Sequence, residues 1–245
     1  LRAFYDNGEK MGSMENDECK IDLISQAFAI LSGISKEKTE KVYSSVEKYL
    51  VDLDLKIIKL LTPAFSGTKT PSPGYIAGYP EGIRENGGQY THATAWYILA
   101  LLKMGKTNKA YEYYQMINPI ERSKTKEDAD IYAIEPYVVS ADIYSNKDKK
   151  ARGGWSWYTG SAGWYYRVGL TEILGFKKRG NKLFIRPNNP FESYDITYRY
   201  LNSIYEIHVE KGKEKKIYVD NKQVEEIELI DDNKTHQISV IVKES

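Results

Sequence analysis

The sequence predicts a mainly α domain over residues 1–178 followed by a C-terminal antiparallel β region over 179–245, a small sheet or sandwich. Three observations predict it. Apolar residues recur at helical spacing from Ile21 to about Leu174. The helices come in pairs joined by short turns, and the pairs alternate with longer polar loops. After Gly180 the hydrophobic period changes to two.

Residues 1–20 read as loop, with turn signals at Asp6-Asn7-Gly8 and Gly12-Ser13. Ile21, Ile24, Ala27, Phe28 and Leu31 then lie on one helical face, and Gly33 stops that helix. Ser35 can cap a second helix with Val42, Val46, Leu50 and Leu53 inward, an amphipathic run that extends to about Leu61. Residues 62–80 form a Pro/Gly/Ser/Thr-rich loop too long for a plain connector. A helix follows from Thr91, which reads as its N-cap, to Met104-Gly105. Thr107 can cap the next helix, which Pro119 closes. Glu121 to Asp130 reads as a solvated loop, and Ile134 to Ala141 as a short helix. A further helix runs from Ala162 to about Leu174. In the β region, Tyr194, Ile196, Tyr198 and Tyr200 alternate with polar residues, as do Tyr205, Ile207 and Val209. Layers of paired helices with a terminal sheet predict an α/α toroid, and the count of about six helices is half that of a six-pair ring, whose isolated half would expose apolar surface. The first residue is Leu1, in mid-pattern, so we expect a fragment of a longer protein.

Composition narrows the function. Lys and Arg number 35 against 34 Asp and Glu, so nothing favours a nucleic acid or an anionic membrane as partner. One cysteine excludes an internal disulfide framework and is compatible with the cytoplasm. One cysteine and three scattered histidines make no metal spacing. Tyrosine is abundant, 21 of 245 residues. Its apolar face and hydrogen-bonding edge suit both a sugar cleft and an amphipathic core margin.

Two stretches hold polar residues that no core needs. Gly78 to Ala95 (GYPEGIRENGGQYTHATA) carries Glu81, Arg84, Glu85, Asn86 and Gln89, with His92 just inside a helix. Ala151 to Gly163 (ARGGWSWYTGSAG) repeats that plan, with Thr159-Gly160-Ser161 opening another helix. Helix N-termini present unpaired N–H groups and positive dipole ends, so the two loops together suggest one anion site.

RENGGQYTHA at 84–93, INPI at 117–120, IEPYVVSADIYS at 134–145 and GGWSWYTGSAGWYYR at 153–167 together resemble the inverting glycoside phosphorylases of glycoside hydrolase family 94. NDECKID at 16–22 is most similar to the cyclic β-1,2-glucan synthetase and β-1,2-oligoglucan phosphorylase branch. The resemblance runs from residue 1 to about Val209. It implies the C-terminal half of an (α/α)6 barrel, and phosphorolysis of a β-glucosidic bond with inversion to α-glucose-1-phosphate. It also implies phosphate held by His92, Thr159 and Gly160, and a donor-sugar site that includes Glu85. Gln89 and Tyr90 are expected to face the acceptor sugar. No cofactor is implied beyond inorganic phosphate as co-substrate. The partners implied are a β-glucan or disaccharide and the N-terminal half of the same polypeptide. The family's general acid, an aspartate in a DWND-type motif, lies upstream; this chain has no such motif.

Residue by residue, alternatives stay open. His92 reads as a capping histidine or a phosphate ligand, and Thr159-Gly160 as a cap, a ligand or both. Trp155, Trp157 and Trp164 read as core or as sugar platforms. Arg84 is expected to pair with a nearby carboxylate, and His208 and His236 to face solvent. Two rival functions remain. One is an inverting hydrolase with Glu85 as base, which needs carboxyls about 6.5–9.5 Å apart. The other is a carbohydrate-binding module without catalysis.

Overall fold

Asp22 begins the first helix. In a computed structural model that describes residues 3–69, 71–157 and 159–243, its backbone is extended and its carboxylate accepts the Ser25 N–H at 2.8 Å, capping α1 (Leu23–Ser32). Gly33, at φ +83°, ends the helix in the left-handed region. Ser35 caps α2 (Lys36–Tyr49) as expected. That helix stops at Tyr49 instead of running on to Leu61. Val51–Asp52 and Ile57–Ile58 instead fold back as a short antiparallel pair. Asp52 accepts the Leu55 N–H at 3.1 Å, and Lys56, at φ +52°, completes a tight turn. The β-branched pair Ile57-Ile58 is wholly buried there.

α3 (Thr91–Lys103) is the central helix of the first compact unit, Leu1–Val168. Its N-cap is Tyr90 rather than Thr91, because the Thr91 N–H is already donated to Ala141 O at 2.9 Å. α4 (Thr107–Met116) follows. α5 (Lys126–Tyr132) occupies part of the stretch expected to be loop. Thr125 accepts the Asp128 N–H, and Glu127 and Asp128 sit at the positive end of the dipole, so local capping makes a helix of a charged run. The helix expected over 134–141 is absent; those residues form turns. α6 (Thr159–Arg167) runs into a π-helical stretch, Val168–Ile173. α1, α4 and α6 all pack on α3. Tyr97 of α3 and Tyr113 of α4 both donate their hydroxyls to Glu47 of α2, at 2.9 and 2.5 Å. Among the described residues there are six α-helices, none long and apolar enough to cross a membrane.

The second unit, Gly169–Ser245, is built of strands. Phe176–Arg179 and Lys182–Ile185 form a hairpin that turns at Gly180, so the sheet begins before the boundary expected at 178. Ile227–Glu228 completes this three-stranded sheet. A five-stranded sheet has the order Ser193–Tyr200, Ser203–Gly212, Thr235–Lys243, Lys216–Val219, Lys222–Gln223. Ser203–Gly212 and Thr235–Lys243 pair in parallel, so the region is mixed and not wholly antiparallel. Parallel neighbours need a long crossover, and here residues 213–234 supply it. Phe176, Leu183 and Ile185 of the small sheet share a core with Tyr205, Ile207 and Val240 of the large one.

His208 faces outward, with Asp195 Oδ1 2.7 Å from its Nδ1. His236 does not face solvent as expected. It lies on the inward side of its strand, in period two with Ile238 and Val240, and is 9% exposed. Its Nδ1 lies 2.8 Å from Asp220 Oδ2, its Nε2 lies 3.1 Å from Asp232 Oδ1, and its ring stacks on Tyr205 at 4.9 Å. Both nitrogens donate only in the imidazolium form. Hydrogen bonding to Asp220, then to Asp232, raises the His236 pKa above its ordinary value. The His236 bond in turn holds Asp220 below the usual carboxylate range. A group whose folded pKa is raised stabilises the fold fully below its unfolded pKa and loses that contribution as pH rises through the folded value. The β unit is therefore expected to melt at a lower temperature at about pH 9 than at about pH 6, where imidazolium and carboxylates coexist. His236→Gln should lower the melt at about pH 6 and flatten this dependence. A pH-independent difference between variant and parent would contradict the clasp.

Candidate active site

Strand pairing brings the two polar loops together. Gln89-Tyr90 pairs antiparallel with Asp142-Ile143, and Ile143 also bridges to Gly153. Three of the motifs thus lie side by side. Two buried amides fix the first loop. Asn86, fully buried, accepts the Phe65 N–H at 2.7 Å and donates to Phe65 O and Tyr79 O at 2.9 and 2.8 Å. Gln89, also fully buried, accepts the Ile58 N–H at 3.1 Å, and its NH2 lies 3.5 Å from Thr91 Oγ1. Both ends of the Gln89 amide are engaged within the chain, where they position the loop. Tyr90 is half-buried at the N-cap of α3.

His92 meets Gly160. A Cβ added at Gly160 would lie 3.2 Å from His92 Cε1 and 3.3 Å from Nδ1, so the missing side chain is what lets the imidazole approach the first turn of α6. The Thr159 backbone opens that helix; the Thr159 side chain lies outside the described residues. The His92 ring packs 4.5 Å from Trp96 and 6.2 Å from Trp164. Trp164 thus belongs to this aromatic nest between α3 and α6. His92 Nε2 and Trp96 Nε1 are buried without a hydrogen-bond partner. Burial pushes the His92 pKa below its ordinary value, leaving a neutral ring. Trp96 is legible in the sequence as a partner of His92, because a spacing of four on one helix puts the two on the same face.

The other cluster centres on Arg84, whose φ is +50°. Its Nε lies 3.3 Å from Glu85 Oε2, the carboxylate partner expected for it. Its guanidinium sits 4.8 Å from the Trp155 ring and 5.4 Å from Tyr79. A hydrolytic role would ask Glu85 to take a proton from water, but its carboxylate is engaged by Arg84. Asp142 is a further polar residue of this cluster, outside the sequence-based candidates. It is fully buried, Oδ1 accepts the Trp155 N–H at 3.1 Å, and Oδ2 has no partner. Burial raises its pKa, against the Trp155 N–H and the Arg84 charge, which lower it. The signal lay in the sequence: one aspartate inside the otherwise apolar ADI of IEPYVVSADIYS. Among the described residues no group of three or more His, Cys, Asp or Glu side chains is arranged to hold a metal ion.

The family model described as "Glycosyl hydrolase 94 superfamily, catalytic domain" matches residues 1–175. The chain belongs to the glycosyl hydrolase 94 family. Its relatives include the cyclic beta-(1,2)-glucan synthase NdvB of Rhizobium meliloti (strain 1021), 48% identical over 78% of this chain and 7% of that protein. They also include the N,N'-diacetylchitobiose phosphorylase of Vibrio furnissii, 27% identical over 99% of this chain and 31% of that protein. The solabiose phosphorylase of Paenibacillus borealis is 29% identical over 98% of this chain and 32% of that protein. The chain thus spans under a third of the length of each of these relatives. Phosphorylases and a glucan synthase recur among the proteins that this chain resembles.

Proposed function

We propose that this chain supplies the phosphate seat and part of the sugar cleft of an inverting β-glucoside phosphorylase, as the C-terminal half of an (α/α)6 barrel. The reaction is phosphorolysis of a β-glucosidic bond to α-glucose-1-phosphate. The observation that carries it is His92 against Gly160, where the N-termini of α3 and α6 meet.

His92 Nε2 is buried without a partner, and an unpaired lone pair there costs less than an unpaired N–H. We therefore place the proton of the neutral ring on Nδ1, the nitrogen nearer Gly160. That N–H and the free N–H groups of a helix's first turn form a seat for a dianion. Phosphate is already a nucleophile, so this side of the reaction needs no general base. The seat has only to hold one phosphate oxygen in line with the anomeric carbon, with the leaving oxygen on the opposite face. Glu85, fixed by Arg84, accepts a donor-sugar hydroxyl, and Tyr90 borders the acceptor. The general acid belongs to a part of the polypeptide outside this sequence. Phosphate serves as co-substrate, and the substrate class is a β-glucan or a β-linked disaccharide.

The seat is tested by titrating the full-length protein with inorganic phosphate while following the His92 imidazole by NMR. Phosphate is expected to shift the ring resonances and raise the imidazole pKa, since a nearby anion favours imidazolium. Gly160→Ala would crowd the ring by a few tenths of an ångström at an exposed position whose backbone any residue adopts. It should weaken phosphate about threefold to tenfold with the fold intact. An imidazole unmoved by phosphate would refute the seat.

A further inference from the structure

Three large aromatic rings stand in solvent beside the second polar loop. Tyr137 is 71% exposed, Trp155 55% and Trp157 68%. Large apolar side chains grouped at a surface mark a binding site more often than chance placement does. These rings are also held in place. The Trp157 indole N–H donates to Glu135 Oε1 at 2.9 Å, so its one polar atom is fixed while its faces remain open. Tyr137 packs edge-on to Trp157 at 6.4 Å. The Arg84 guanidinium braces Trp155 at 4.8 Å. Trp157 sits at φ +61°, a left-handed conformation that is unfavourable for a bulky side chain and that tends to persist where function requires it.

We propose that Tyr137, Trp155 and Trp157 form a stacking platform for the sugar rings of a β-linked glucan chain. A pyranose offers alternating apolar C–H faces and hydroxyl edges. Fixed aromatic faces with a carboxylate and a guanidinium at their margins match both. A protein partner would more commonly cover a patch whose centre is poor in charge, and here Glu135 and Arg84 lie against the rings themselves. Trp157 is three residues before Gly160 in the sequence, and Gly160 lies in the first turn of α6, so the platform and the phosphate seat share one short stretch of chain. The inference deepens the carbohydrate reading given above and rests on it: the substrate it selects is a chain of several sugars and not a lone disaccharide.

The test is calorimetric titration of the full-length protein, in phosphate-free buffer, with β-1,2-gluco-oligosaccharides of increasing length, and with cellobiose and glucose. Affinity is expected to rise with chain length. Trp157→Gly removes the ring and also relieves the positive φ, so the thermal melt should hold or rise while affinity for the longer oligosaccharides falls about tenfold. Trp157→Phe should recover most of that affinity. Unchanged oligosaccharide affinity in Trp157→Gly would overturn the platform. So would self-association that depends on Trp157 with no affinity for any glucan. The two readings fail separately, because glucan binding without phosphate tests the platform and phosphate binding without glucan tests the seat.

Discussion

Gly82→Ala is expected to destabilise the protein by about 3 kcal/mol and to displace the loop that carries Arg84, Glu85 and Asn86. Two effects add. The residue sits at φ +78°, where a side chain costs about 1–2 kcal/mol. A Cβ there would also lie 2.4 Å from Asn146 N, 2.7 Å from Asn146 Cα and 2.8 Å from Ser145 C. All three are backbone atoms and cannot swing aside. The loop is tied to that backbone, since Ser145 N–H donates to Gly82 O at 2.9 Å and the Asn146 side chain donates to Glu81 O at 2.7 Å. Overpacking of this kind typically adds about 1–3 kcal/mol. Gly8→Ala is the control: φ is +85°, but nothing lies within 4 Å of the added carbon. It should cost only the conformational part, about 1 kcal/mol. Denaturant midpoints of the two variants against the parent check this. Equal losses would show that the contact with Asn146 has no energetic weight.

His92→Ala is expected to reduce phosphorolysis by the full-length protein about 10²–10³-fold, the usual effect of deleting one preorganised donor to a reacting anion. The loss should appear in the dependence on phosphate concentration. His92→Asn places an amide N–H near the position of Nδ1 and should recover part of the rate. His92→Gln extends toward the buried Nε2 side, against Trp96, and should recover less. Rates from these three variants at several phosphate concentrations separate a phosphate ligand from a packing residue. A packing residue would be served best by the larger side chain.

Much of this architecture is legible in the sequence because its signals are local. Ser35 and Gly33 mark helix ends by chemistry that acts within one turn. The period of two at 194–200 and 205–209 gives the inward faces correctly. The same period places His236 with Ile238 and Val240, which is the sign that it points inward. What escapes is set by distant partners. Nothing near Tyr49 announces that Val51 will pair with Ile58. The parallel register of Ser203–Gly212 with Thr235–Lys243 depends on where residues 213–234 go in space. The polar motifs locate the site, and His92 and Gly160 meet as two helix-opening loops suggest. The sequence does not show that the Gln89 amide faces Ile58 and Thr91, a distant and a local partner that only the fold brings to it. Asp142 and Trp96 carry a faint sequence signal, and burial without partners for their polar atoms is what singles them out.

In the proposed mechanism the helix termini around His92 and Gly160 hold the nucleophile of the reaction. The most direct measurement is sugar release by the full-length protein from β-1,2-glucan, cellobiose and chitobiose, with and without inorganic phosphate. The proposed mechanism predicts sugar-1-phosphate, formed with inversion, only when phosphate is present. Release of free sugar at the same rate without phosphate would contradict it.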